Sequence, residues 1–130
     1  MNAPEDRKYT RSHEWALPEG ELVRAGVTEY ARDQLGDLVF LELPQPGRPV
    51  EQGEGFGVIE SVKAVSDLLA PVGGEIVEAN HALEDDLEAI SEDPYGRGWL
   101  VVIRPSKPEE LTTLLDAAAY QQHCAEEEAK

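Results

Sequence analysis

At 130 residues and 41% apolar content, the chain has material for one domain with its own core. Its net charge of −16, from 27 acids against 11 bases, repels phosphate backbones and anionic lipid, which argues against nucleic-acid and membrane-surface partners. No apolar run reaches the roughly 18 residues of a transmembrane helix. The lone cysteine, Cys124, leaves no internal disulfide and fits a reducing compartment.

The opening MNAPEDRKYT has no apolar segment and carries early acids, so it reads as neither secretion signal nor transit peptide. A cytoplasmic, prokaryotic location is the expectation. ELVRAGV, ending at Val27, predicts a strand. TEYARDQLG predicts a helix of about two turns, with Thr28 as N-cap and Gly36 as its stop. DLVFLELP predicts a buried strand closed by Pro44. From Pro44 to Gly55, Pro and Gly are dense enough to predict loop or turn.

From Val58 to Ala70 neither Gly nor Pro occurs, a span longer than an ordinary strand of about 5–6 residues. Val58, Ile59, Val62, Val65 and Leu69 fit one helical face. The β-branched content and the breaker at Pro71–Gly74 favour two strands. A hairpin would bend near Val62-Lys63-Ala64-Val65, residues that a tight turn does not prefer. A lysine at the apex of such a turn is a poor core residue and a good handle, because its ammonium is strongly hydrated.

Farther on, EIVEA predicts a short strand, NHALEDDLEAIS is mixed, EDPYGRG is a turn cluster, and WLVVIR predicts a strand. Ser106 and Glu109 have capping-box spacing, and Leu111, Leu114, Leu115 and Ala118 recur at helical spacing. A C-terminal helix over about 107–125 with a frayed acidic tail is expected, behind a core over about 9–105. Gly36-Asp37-Leu38-Val39 echoes Gly74-Glu75-Ile76-Val77, and Phe56–Ile59 loosely echoes Trp99–Val102. Two similar β-units would suit a two-sheet sandwich with pseudo-symmetry.

Few residues suggest chemistry. His13, His81 and His123, with Cys124, show no zinc spacing, so no metal site is expected. Ser61 and Ser66 have no His–acid pattern. VEQGEGFG lacks the Lys-Ser/Thr of a phosphate-binding loop. Asp85-Asp86 reads as a solvated turn. Trp15 and Trp99 read as core anchors.

ESVKAVSD closely resembles the lipoyl-attachment site of the glycine cleavage system H-protein family. YTRSHEW from Tyr9, GVTEYARDQLGDLVFLELPQPG from Gly26, APVGGEIVEAN from Ala70 and EDPYGRGWLVVI from Glu92 agree with the same family, so the resemblance spans about 9–105 in order. Val65 and Leu68-Leu69 stand where relatives often carry Ala or Tyr. The resemblance implies a mainly β, flattened barrel-sandwich of two antiparallel sheets, with a short internal helix and a C-terminal helix, as one domain over 1–130. It implies lipoate in amide linkage on Lys63 at a protruding tip, with Glu60, Gly74 and Gly47 helping the attaching enzyme to recognise the site.

It also implies a non-catalytic shuttle. The partners would be a pyridoxal-phosphate glycine decarboxylase (P protein), a tetrahydrofolate-dependent aminomethyltransferase (T protein), a dihydrolipoyl dehydrogenase (L protein) and a lipoate-attaching enzyme. The loaded arm ends in a cation, for which Ser12, Glu14 and Asp67 are expected to line a cleft. Alternatives are an H-like lipoyl relay or adaptor using the same Lys63, and a stand-alone lipoyl domain of 2-oxoacid dehydrogenase type. A biotinyl carrier would flank its lysine with methionines, whereas Lys63 lies between Val62 and Ala64.

Overall fold

The computed structural model describes residues 2–129. Its strands are β1 (Lys8–Tyr9), β2 (Glu14–Glu19), β3 (Leu22–Val27), β4 (Leu38–Glu42), β5 (Pro49–Val50), β6 (Gly55–Ser61), β7 (Val65–Leu69), β8 (Gly74–Ala79) and β9 (Val101–Pro105). The α-helices are α1 (Glu29–Leu35), α2 (Glu88–Glu92) and α3 (Ala117–Glu128). Short 3-10 turns cover His81–Asp85 and Pro108–Thr113. Among the described residues, no helix is long and apolar enough to cross a membrane.

The strands form two antiparallel sheets, a six-stranded one in the order β1-β2-β3-β9-β8-β5 and a three-stranded one in the order β4-β6-β7. Their inner faces enclose the main core, which includes Leu41, Phe56, Ile59, Leu68, Val72, Ile76, Leu100 and Ile103. The expected flattened barrel-sandwich is the fold observed. The two sequence echoes fall on β4 with β6 in one sheet and on β8 with β9 in the other, both antiparallel pairs.

α1 begins and ends where its residues dictate. Thr28 Oγ1 accepts from Ala31 N at 3.2 Å, and Gly36 leaves the helix at φ 76°. The strand after it departs from expectation. Leu41 and Leu43 are buried, but Val39 and Phe40 are both exposed. β4 is the edge of its sheet, and a bulge between Leu38 and Phe40 breaks the inward–outward alternation.

The C-terminal helix starts later than its capping-box spacing suggests. Residues Pro108–Thr113 form a 3-10 turn without a side-chain cap. Leu115 is then drawn into an extended bridge with Tyr9, its N–H and C=O both paired at 2.8 Å, which stops any helix from running through it. Asp116 supplies the real N-cap, accepting from Ala119 N at 2.8 Å. α3 then continues to Glu128, well into the acidic tail expected to fray. It rests on a second buried cluster of Tyr9, Trp15, Tyr30, Tyr120 and Cys124. Trp15 is fully buried there, with its indole N–H donating to Pro94 O at 3.0 Å. Trp99 is only half-buried, with the Arg24 guanidinium 4.7 Å above its ring.

Candidate functional site

The long uninterrupted stretch is a hairpin, β6 and β7, with Val62-Lys63-Ala64 as its tip. The tip lacks turn-forming residues at its apex because Ser61, just before it, supplies the turn chemistry. The Ser61 hydroxyl accepts from Ala64 N at 3.1 Å and from Lys63 N at 3.4 Å, while Ser61 N donates to Ala64 O at 2.8 Å. Val62 N donates to Asp37 O at 3.0 Å, which ties the tip to the start of β4. Lys63 is exposed, and a Cβ placed on Gly36 would lie 3.9 Å from Lys63 Cε, so the lysine stem runs past that glycine. Val62 (73% exposed) and Val65 (67%) flank it.

Beside the tip lies a cavity of about 310 Å³. Ala64, Val65 and Ser66 from the tip form one wall. Ser12 and Glu14, far in sequence from Asp67, line it together with that residue. Asp67 is exposed on β7, opposite Val58. Glu14 is only 3% exposed, and its carboxylate accepts from Thr10 Oγ1 (2.7 Å), Ser12 Oγ (2.5 Å) and Leu69 N (3.1 Å). Burial pushes this carboxyl up from its ordinary range, against the downward pull of the three donors. Glu14 is therefore a wall that joins the β1–β2 turn to β7, with Ser12 turned onto it.

Sequence reasoning missed the other polar and aromatic side chains of the lining, His13, Tyr30, Gln34 and Glu127. His13 and His123, which look scattered along the chain, meet at Glu127 on α3. Burial pushes the His13 imidazole down, against the pull of Glu127. The signal for this meeting is weak in sequence, because it depends on where α3 docks.

Glu60 sits on the tip hairpin, paired with Val65. Gly47 and Gly74 lie together elsewhere, at the β5–β8 edge of the larger sheet. Gly47 N donates to Ile76 O, and Ile76 N donates to Arg48 O. Gly74, at φ 155°, packs so close to β9 that a Cβ would overlap the Arg104 carbonyl. Its glycine answers this backbone approach in β8, not the tip turn.

The description "Glycine cleavage H-protein" belongs to the family profile that matches residues 7–127. The glycine cleavage system H protein of Anaeromyxobacter sp. strain K is 52% identical, over 98% of this chain and all of its own. That of Thermus thermophilus is 55% identical over 94% of this chain and 95% of its own. A crystal structure of a glycine cleavage system H protein from Mycobacterium marinum superposes with a TM-score of 0.87 at 44% identity, covering 95% of this chain and 99% of that one. With the family profile matching residues 7–127 and near-complete coverage of relatives about half identical, the chain belongs to the glycine cleavage H-protein family.

Proposed function

We propose that Lys63 carries lipoate in amide linkage and that the chain shuttles an aminomethyl group within the glycine cleavage system. Family membership makes the chain a lipoyl carrier of that system and a non-catalytic component of it. In this reading the pyridoxal-phosphate decarboxylase loads the arm, the folate-dependent aminomethyltransferase unloads it, and the flavin-dependent dehydrogenase reoxidises it. The dithiolane supplies the redox and group-carrying chemistry, and the protein supplies position and protection.

One observation carries the assignment: Lys63 is exposed at the apex of a hairpin whose turn is held from Ser61, beside a cavity that the same tip helps to line. A group carrier needs a long, mobile, acylatable arm on a rigid base, and lysine supplies both stem and amine. Acylation also removes the charge at the tip. The cavity suits the loaded arm. Its cationic end would meet the exposed Asp67 carboxylate and the wall built by Glu14 and Ser12, in charge-assisted contacts that the oxidised arm lacks.

Intact mass and peptide mapping of protein exposed to a lipoate-attaching enzyme test the proposal. The adduct is expected on Lys63 alone, and Lys63→Arg, which keeps the charge without an acylatable amine, is expected to fold and to accept none. Lipoate mapped to Lys8 or Lys107 would overturn the assignment.

A further inference from the structure

His13 and Glu127, which line this cavity, meet His123, so that three side chains come together from two ends of the chain. Their ligand atoms all lie within 4.8 Å of one another. His13 Nε2 is 3.0 Å from Glu127 Oε2, and His123 Nε2 is 2.8 Å from Glu127 Oε1. We propose that these three side chains form a binding site for a divalent first-row cation of the zinc type, held by two imidazole Nε2 atoms and one carboxylate.

Two imidazoles and a carboxylate are a donor set that suits zinc and its neighbours and leaves a coordination position open. His123 and Glu127 are one helical turn apart on α3, so their side chains project from the same face. His13 is brought to them by an unusual backbone. Among the described residues it is the one non-glycine with positive φ, at 76°. Such a conformation is strained for a residue with a side chain and persists where surrounding structure enforces it. Here the enforcement is visible. The His13 ring stacks on Tyr30 at 4.6 Å, and its Nδ1 lies 2.8 Å from Tyr120 Oη, which in turn lies 2.6 Å from Thr28 Oγ1. A ligating histidine is ordinarily oriented by such a bond on its other nitrogen. Both hydroxyls can donate or accept, so the chain can place the imidazole proton on Nδ1 and leave the Nε2 lone pair for a metal.

Binding has identifiable costs. The His13–Glu127 hydrogen bond and the His123–Glu127 contact would be exchanged for coordination bonds. His123 would release its contact to Arg11 O at 3.0 Å, and the exposed Arg11 guanidinium, 3.4 Å from His123 Nδ1, would turn away so that this nitrogen carries the proton. The chain's excess of acids offsets part of that cost by attracting cations.

The test uses tag-free, unlipoylated chain, so that no dithiol can chelate. Calorimetric titration with Zn²⁺ is expected to show a single equivalent bound, and Co²⁺ is expected to give visible bands that Zn²⁺ displaces. His13→Asn (asparagine tolerates the left-handed backbone), His123→Asn and Glu127→Gln should each weaken binding roughly tenfold or more, while His81→Asn should leave it unchanged. Imidazole ¹⁵N shifts of the unmutated chain give a second readout that does not depend on any variant folding. Zn²⁺ should move the Nε2 signals of His13 and His123 and not those of His81. Absence of binding, equal binding by the three variants, or shifts confined to His81 would overturn the site. In that case the cluster is a hydrogen-bonded latch between α3 and the His13 turn.

Discussion

Ser61 is buried next to the exposed hairpin tip, and its hydroxyl closes the turn that carries Lys63. Each hydrogen bond lost at such a position costs about 1 kcal/mol. Ser61→Ala should therefore lower stability by about 1–2 kcal/mol in denaturant melts and slow acylation of Lys63, because the apex no longer holds one geometry. Normal acylation kinetics would show that the turn is set elsewhere. Two carboxylates of the cavity, Glu14 and Asp67, should separate under substitution. Glu14→Gln removes an acceptor from Thr10, Ser12 or the Leu69 amide, and should cost about 1–3 kcal/mol. Asp67→Asn, on an exposed residue, should leave the melting temperature near that of the parent. Both variants should shorten the lifetime of the isolated aminomethylated protein, measured as ammonia release with the folate enzyme absent. Unchanged release in both would remove the carboxylates from the protection of the arm.

At the scale of elements, two glycines show what close backbone approach requires. A Cβ on Gly74 would overlap the Arg104 carbonyl across the β8–β9 pair, and one on Gly26 would lie 2.7 Å from the buried Trp15 ring. Gly74→Val should cost at least about 1–3 kcal/mol and slow lipoylation indirectly, by loosening the sheet opposite the tip hairpin. Unchanged melting temperature and ligase kinetics would contradict this. α1 was readable because its caps are local, in Thr28 and Gly36. The tip hairpin was readable from the uninterrupted β-branched run and from the family resemblance at ESVKAVSD. What sequence could not supply was long-range. The start of α3 is set by the Leu115–Tyr9 bridge, which overrides a capping-box spacing at Ser106 and Glu109. The exposure of Val39 and Phe40 follows from an edge bulge. Likewise, Ser12, Glu14 and Asp67 were expected at one cleft and do line one cavity, whereas Glu127 joined them only through the docking of α3.

On the scale of the whole molecule, charge and apolar surface divide the protein's dealings with its partners. The exposed apolar side chains Val39, Phe40, Val62 and Val65 lie in the three-stranded sheet and its tip, beside Lys63. The chain as a whole carries a net charge of −16. If partners dock on this apolar collar, as the proposed shuttle requires near Lys63, its desolvation would contribute to affinity at short range, while the long-range field would guide encounter with a partner that presents a basic face. Only the second effect depends strongly on ionic strength, since the screening length is about 8 Å at physiological salt and about 3 Å at 1 M. Raising salt should therefore lower kcat/KM for the decarboxylase acting on the lipoylated chain, mostly through KM, and leave kcat at saturating carrier nearly unchanged. Phe40→Ser should show a different pattern. It should weaken docking by a similar factor at every salt concentration, because apolar desolvation is little affected by screening. If kcat/KM is flat across ionic strength for the parent chain, the acidic surface serves solubility alone and the docking faces of the partners are not basic. If Phe40→Ser has no effect at any ionic strength, docking does not use the collar around Lys63.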